Sequence, residues 1–557
     1  MTTNGRGSES DRRATWAWLA VLSAVTVLVY VSGLTGGFVW DDRLFFVDND
    51  ILPALKPWDL REILLHPTTY WRDHIPATNF LFVVEYNLFG TSTAGYHAVS
   101  LLLYLANGFV AFNLIRALYG EVGAAAAERS AGRPEESLGL DRASSSALVV
   151  TAIFMLHPVH VETVAYIVGQ KDLLYGLFSL LSILFVYRAA RSGRKNLVAA
   201  IAFYYLAFLS KNMAVATALF IPVFWLLVVR KRGEDPWRPL LLWLTVNVPV
   251  ALWLMRTVVQ GMSTFGTSLP VADRILRAFN ILGAHTLLVL KPHPLNFGYP
   301  FDESPAFDLN FFVGAAVVAA LLHRMIRRPR SLAALGLLLY VVYLLPVLQV
   351  VVEINNAIVY DRYLFVSLLG AAIVFERGLS SARTRWKRAA KPLWSGFAAL
   401  AVLMAALTAD YVPKFASDVA SLKHAHEHFP AWNAPPFGYV YALIEDGQLD
   451  LAAELVESEA SFDEPAWVRD YFRGWIAVER GESAKALAPL SRAFHLCGAA
   501  GHFPYPGVPL GRAFMNEGDL ARATAALRYV MRGQHQNPLE FYKAKVLLEE
   551  IEGNLGP

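Results

Sequence analysis

Long apolar runs constrain this chain more than any other feature. Several approach the ~20 residues that an α-helix needs to cross the hydrocarbon core of a bilayer, and they recur through residues 15–412. Of the 557 residues, 55% are hydrophobic and 17% charged. Soluble domains carry roughly a quarter charged residues, so a water-soluble multidomain enzyme is disfavoured. The sequence predicts an all-α polytopic membrane core of about eleven spans. They centre on 15–34, 95–115, 145–157, 172–188, 196–210, 213–230, 239–257, 310–323, 332–351, 361–376 and 393–411. The segment 145–157 is too short to cross without tilt or help from its continuation. The apolar segment 276–291, with His285 in its middle, is expected to be an interfacial or re-entrant helix.

Charge orients the spans. Arg188, Arg191, Arg194 and Lys195 form one basic loop; Arg230, Lys231, Arg232 and Arg238 form another. Arg324, Arg327, Arg328 and Arg330 form a third, and a fourth runs from Arg377 to Lys391. These loops fall at every second connection, and excess Lys and Arg stay cytoplasmic. Residues 1–14 are then a cytoplasmic tail, the long loops 35–94 and 258–309 face outside, and so does everything after 412. The stretch 14–34 exceeds a cleavable signal core, has no clear cleavage site after it, and reads as an uncleaved first span. A net charge of +3 is too small to suggest a nucleic-acid binder, and the single cysteine, Cys497, excludes an intramolecular disulfide framework.

Residues 413–557 are polar and periodic. YALIEDGQLDLA, IAVERGESAKAL and FMNEGDLARATAAL share one phrase, and their glycines, Gly447, Gly481 and Gly518, lie 34 and 37 residues apart. A period near 34 with Gly at a turn predicts a short tetratricopeptide-like α-solenoid, with a generic array of helical hairpins as the alternative. Solenoids mostly bind partners.

Polar groups at span ends are costly to place, so their distribution is informative. The cytoplasmic ends carry the Arg and Lys blocks that topology alone expects, with the mixed-charge loop 117–144. The opposite face carries unlike groups in compact strings: FVWDDR (38–43), YWRDHIPATNF (70–80), HPVHVE (157–162), GQKD (169–172), SKN (210–212), KPHPLNFGYP (291–300) and EINNAIVYDRY (353–363). Asp41 and Asp42 are adjacent carboxylates whose repulsion suits general-base work on a hydroxyl or the binding of a divalent metal; a solvated helix end is the alternative. His157, His160 and Glu162 match metal ligands by type, but Pro158 interrupts the helix between them, which favours hydrogen-bonding histidines that shape a loop. Lys171 and Lys211 sit at outer helix ends, where they either snorkel to headgroups or hold a phosphate. Arg362 can do the latter with bidentate geometry, or pair with Asp361 or Glu353. His424, His426 and His428 alternate in KHAHEHF and read as a surface helix rather than a metal tract.

The strings FVWDD, HPVHVETVAYIVGQKDLL, FLSKNMAV and VYDRYLF together resemble the transmembrane and tetratricopeptide-repeat O-mannosyltransferases and their bacterial homologues, in the GT-C superfamily. The resemblance covers nearly the whole chain. It implies a GT-C-type core that moves a sugar, mannose by analogy, from a polyprenyl-phosphate carrier to a hydroxyl acceptor such as protein Ser or Thr. Transfer would invert the anomeric carbon on the outer face of a bacterial cytoplasmic membrane. It implies Asp41 as the base and Asp42 as its partner or as a substrate-orienting group. Lys171, Lys211 and Arg362 would act against the leaving phosphate, with Arg72, His157, His160, Glu162 and Asp172 shaping the pocket. Three positions depart from the family pattern: Ile75 where Arg is usual, Gln170 for Arg and Asn212 for Glu. A non-catalytic scaffold that recruits partners through its repeats, and a lipid or solute transporter, are the rival readings. A transporter should place its ionisable groups near the midplane on broken helices, whereas here they gather at one face.

Overall fold

The structure is a computed structural model, and it describes residues 4–69, 74–127, 140–230, 235, 237–262, 269–299, 307–350, 359–429, 434–462, 465, 467–499, 505–532 and 537–554. Arg72 and Glu353 lie outside the described residues, as do the basic-loop residues Lys231 and Arg232. Every element longer than a single bridge residue is helical among the described residues. Two compact units divide the chain: residues 1–36, 75–78 and 93–413 form one, and residues 37–74, 79–92 and 414–557 the other.

In the first unit each of the eleven apolar segments falls on a helix. Among the described residues six helices are long and apolar enough to span a bilayer: Asp11–Thr35, Thr93–Glu121, Ile167–Arg191, Asn212–Val229, Leu309–Arg327 and Lys387–Phe415. A seventh span is formed if Arg142–Leu156 and Pro158–Ala165, bent by 55° at their break, count as one. Lys195–Ser210, Trp237–Leu252 and Leu332–Val347 are apolar but shorter. The chain is a membrane protein; among the described residues length and composition give six spans, or seven with the bent pair, fewer than the eleven expected from the sequence. Leu28, Phe312, Leu322 and Ile326 are exposed large apolar side chains on such helices, as a lipid-facing surface requires.

Close backbone approach packs this unit. Without an aqueous hydrophobic effect to draw helices together inside a bilayer, small residues let them touch. Gly336 of helix Leu332–Leu344 faces the backbone of Gly370 in helix Ser367–Arg385, where neither site has room for a side chain. The segment 276–291 belongs to one continuous helix, Val271–Leu290, that runs antiparallel to Leu309–Arg327. Gly283 rests on Asn310 and Gly314 on Phe279. A re-entrant break is absent from this helix because the contact is continuous across its middle.

The second unit joins most of the segment after the first apolar helix to the C-terminal helices. Three helical hairpins follow in order: Ala434–Glu445 with Leu449–Ser458, Trp467–Glu479 with Ser483–Ala499, and Gly507–Asn516 with Leu520–Met531. A final helix, Pro538–Asn554, closes the row. Gly447, Gly481 and Gly518 sit at the turns with φ of 76°, 78° and 78°. In each turn the residue after the glycine donates back to the carbonyl five residues earlier: Gln448 to Leu443, Glu482 to Ala477, Asp519 to Phe514. That is a Schellman closure, which demands left-handed backbone and hence glycine. Five residues past each turn comes a fully buried alanine (Ala452, Ala486, Ala523), and nine past it a fully buried aliphatic (Val456, Leu490, Leu527). One hairpin is therefore built three times.

Candidate functional site

The most distinctive string of the sequence, residues 157–170, is buried throughout. His157 ends helix Arg142–Leu156, and the chain then turns through Pro158–His160, Val161–Ala165 and Ile167–Gly169 before starting helix Gln170–Ser192. The turn is tight enough that a side chain at Gly169 would collide with the carbonyl of Thr163. Both histidines bond to the protein, although Nε2 of His160 is buried without a partner among the described residues. A ring nitrogen of His157 lies 3.1 Å from the Val289 carbonyl, and Nδ1 of His160 lies 3.0 Å from the Tyr104 hydroxyl. The His160 ring packs among Phe154, Phe365 and Tyr104. Among the described residues no group of three or more His, Cys, Asp or Glu is disposed to hold a metal ion.

This string brings cations from distant parts of the chain together. Glu162, 1% exposed, accepts from the Arg362 guanidinium at 2.6 Å and from the Arg362 backbone N–H at 2.8 Å. Arg362 lies in the turn Asp361–Leu364, with its guanidinium 4.0 Å from the Tyr360 ring centre and 5.8 Å from that of Tyr363. Asp172 stands in the first turn of helix Gln170–Ser192, where the helix dipole favours a carboxylate. It takes Lys211 Nζ at 2.5 Å. Lys211 follows helix Arg194–Ser210 in extended backbone, and its ammonium lies 5.8 Å from the Tyr363 ring centre and 6.0 Å from that of Tyr175. Lys171 and Arg362 are near enough to Lys211 to repel its charge.

Sequence reasoning placed these residues on one face but did not pair them. Arg362 pairs with Glu162 rather than Asp361, and Asp361 accepts from the Tyr299 hydroxyl at 2.8 Å. Lys171, half-buried, has no hydrogen-bonding or ion-pairing partner among the described residues. The second carboxylate oxygens of Asp172 and Asp361 are buried without a donor among the described residues. Two of the departures from the family pattern are absorbed locally. Gln170 donates to the Tyr96 carbonyl and the Ser100 hydroxyl at 3.0 and 3.2 Å, fully buried, and Ile75 is a core side chain. Beside Ile75, Thr78 donates to the Ser210 carbonyl at 2.9 Å, next to Lys211.

The aspartate pair belongs to the second unit, where the two carboxylates have different situations. Helix Asp41–Phe46 begins after Trp40, and its apolar side is packed by Phe45 and Phe46 against Phe82. Asp42 is fully buried, and its carboxylate accepts the Val39 N–H at 3.1 Å. Asp41 is half-buried, with no hydrogen-bonding or ion-pairing partner among the described residues. Trp40 has φ 54° and ψ −123°, a left-handed conformation that costs a non-glycine residue about 1–3 kcal/mol. Nothing in the local sequence signals that strain. Its partners, Asp418 and Ser421, come from 378 and 381 residues away. Burial raises the proton affinity of the Asp418 carboxylate, and the bond from Trp40 and the charge of Arg43 oppose that rise. In helix Asp418–His428, His424 is nearly buried and stacks on His428, while His426 points instead toward Glu459.

Helices long and apolar enough to span a membrane, buried ion pairs near the ends of such helices and a row of helical hairpins define a polytopic membrane protein with a helical-repeat unit. Its curated relatives are protein O-mannosyl-transferases. Protein O-mannosyl-transferase TMTC4 of Homo sapiens is 32% identical over 188 residues, 32% of this chain and 24% of the relative. A Caenorhabditis elegans protein O-mannosyl-transferase is 28% identical over 176 residues, 30% of this chain and 22% of the relative. The chain thus spans less than a quarter of the length of these relatives. No protein-family model matches. An Archaeoglobus fulgidus oligosaccharyltransferase tethered to an acceptor peptide aligns over 75% of this chain and 57% of its own, at 14% identity and a TM-score of 0.37.

Proposed function

We propose that this protein is an integral-membrane glycosyltransferase that transfers a sugar, mannose by analogy with its relatives, from a polyprenyl-phosphate carrier to a hydroxyl of a protein or peptide. The observation that carries the reading is the state of the cations. Lys211 and Arg362 are matched by Asp172 and Glu162, and Lys171 stands beside them half-buried and unmatched among the described residues. An unmatched ammonium at the end of a membrane helix is a receptor for a phosphate, and the aromatic rings around the neighbouring Lys211 and Arg362 lower the local dielectric of the cluster. The free oxygens of Asp172 and Asp361 need donors, and sugar hydroxyls are donors.

In this reading Asp41 takes the proton of the acceptor hydroxyl as its oxygen attacks the anomeric carbon. The bond to the phosphate oxygen breaks, and Lys171, backed by Lys211 and Arg362, stabilises the charge that collects on the leaving phosphate. A phosphate leaves without being protonated, so no general acid is required. Attack opposite the departing group inverts the anomeric centre. In this reading the chemistry lies on the outer face, a sidedness that the alternation of basic loops supports. His157, His160 and Glu162 build the wall of the cation cluster, Arg72 is a further substrate-binding residue, and Asp42 holds the turn that carries Asp41. A divalent metal at Asp41 and Asp42 would have only Asp41 freely available, because Asp42 already accepts a backbone N–H. The helical row is the natural receptor for an acceptor polypeptide.

The test is transfer from polyprenyl-phosphate mannose to a Ser/Thr-containing peptide by the full-length protein in lipid nanodiscs. K171A and D41N should each lower the rate by at least 100-fold while the protein stays folded. Wild-type rates in both variants would refute the assignment.

A further inference from the structure

Trp40 is the residue whose backbone sets the direction of helix Asp41–Phe46, and it holds a conformation that a tryptophan does not adopt unaided. Its φ of 54° lies in the left-handed region, where the Cβ of any L-residue crowds the backbone. Such a residue persists only when its surroundings over-determine it. Here they do so with two hydrogen bonds from one short helix. The Trp40 backbone N–H donates to Asp418 Oδ1 at 2.8 Å, and the indole N–H donates to Ser421 Oγ at 2.9 Å.

Asp418 and Ser421 are three residues apart on helix Asp418–His428, hence on one face of it. That helix is itself fixed at its start. Ser417 caps it through the Ala420 N–H at 3.1 Å, and the carbonyl of Ala416 receives the Gly37 N–H at 2.9 Å. Ser421 is buried and its hydroxyl donates on to the Asp418 carbonyl at 3.1 Å, which leaves the oxygen lone pairs to the indole. On the other side of Trp40 the chain is closed by the Arg43 N–H on the Trp40 carbonyl and by Asp42 on the Val39 N–H. Arg43 extends the grip through Asp48 at 3.2 Å and Glu445 at 3.4 Å. All these groups lie in the second unit. Trp40, Asp42 and Arg43 are thus engaged, whereas the Asp41 carboxylate has no hydrogen-bonding or ion-pairing partner among the described residues, and its charge repels that of Asp418.

We infer that Asp418 and Ser421 are positioning residues: they clamp Trp40 in its left-handed turn and thereby fix the direction in which Asp41 presents its carboxylate. The inference rests on the reading of Asp41 as the base. It gives the first helix after the membrane core a part in the chemistry, distinct from any role of the hairpins in holding an acceptor.

The experiment uses the full-length protein in nanodiscs with polyprenyl-phosphate mannose and a Ser/Thr-containing peptide, together with hydrogen exchange. D418A should lower kcat at least tenfold with both KM values within twofold of wild type. D418N should recover to within threefold, because its side-chain carbonyl still accepts the Trp40 N–H. S421A and W40F, which each remove the indole bond, should lower kcat about threefold. Exchange at the Trp40 and Asp41 amides should quicken in D418A while helices 434–554 keep their protection, a pattern that general unfolding does not give. Wild-type kcat in D418A and S421A beside an inactive D41N overturns the inference and leaves the catalytic reading standing. An active D41N removes the catalytic reading, and with it the inference. If D418A does not fold, S421A and W40F decide the matter by the same kcat criterion.

Discussion

Ion pairs serve opposite purposes in the two units of this molecule. In the membrane unit Glu162 with Arg362 and Asp172 with Lys211 are nearly sealed: the carboxylates are 1% and 0% exposed. In the repeat unit Arg473 with Glu457 leaves both partners about half in water. A sealed pair has given up hydration on both sides, and losing one partner leaves a charge with nothing in its place. A solvated pair loses only a weak, screened attraction. The same residue types are therefore structural necessities in one unit and replaceable surface in the other.

The sharpest way to break this comparison is to cut a sealed pair. R362A should strand the Glu162 carboxylate and destabilise the membrane unit by about 3–5 kcal/mol, read as an earlier thermal transition of the detergent-purified protein. E162Q with R362M should recover most of that loss, since neither charge is then buried alone. A single R362A variant with the wild-type transition would mean that the pair is open to water, like those of the repeats.

The turn glycines come next in size. Gly481 has φ 78° and nothing within 4 Å of the place where a Cβ would sit, so only backbone strain opposes substitution. G481A should cost about 1 kcal/mol and should appear in the transition of the repeat unit, not of the membrane unit. G336A should act the other way round: the Gly370 carbonyl stands in the path of its Cβ, so the helices must separate and the membrane unit should carry the whole effect.

These contrasts also explain what could be read in the sequence. Apolar runs are local in sequence and local in space, so each of the eleven segments falls on a helix, whereas crossing the bilayer depends on length and bending that composition does not encode. The hairpins were legible because one period repeats its glycine and its buried alanine. The Asp41–Asp42 pair stood out as a string, but the difference between its members comes from Val39 and from a neighbouring helix nearly four hundred residues on. Likewise Arg362 was recognisable as a cation, and its partner Glu162, 200 residues earlier, was not. Pairings of high sequence separation leave no periodicity to detect, and the functional groups here are held mostly by such pairings.

The smallest effect asks whether burial alone sorts the carboxylates, and it can be tested inside the repeat unit. Glu540 is 2% exposed; burial raises its proton affinity, with Lys543 and the Tyr441 hydroxyl opposing. Glu457 is solvated; the hydrogen bond from Arg473 lowers its proton affinity. Linkage gives the two opposite signs. A raised carboxylate contributes stability that is complete below the unfolded value of about 4.3 and is lost as pH rises through the folded value. A lowered one contributes stability above about 4.3 that is lost as pH falls through the folded value. E540Q should therefore stabilise the repeat unit at pH 7 relative to pH 4, and E457Q should do the reverse by a smaller amount, in thermal melts across that interval. Equal slopes in the two variants would show that the buried carboxylate is as well solvated as the exposed one, and the distinction between sealed and open charge would then not extend to this unit.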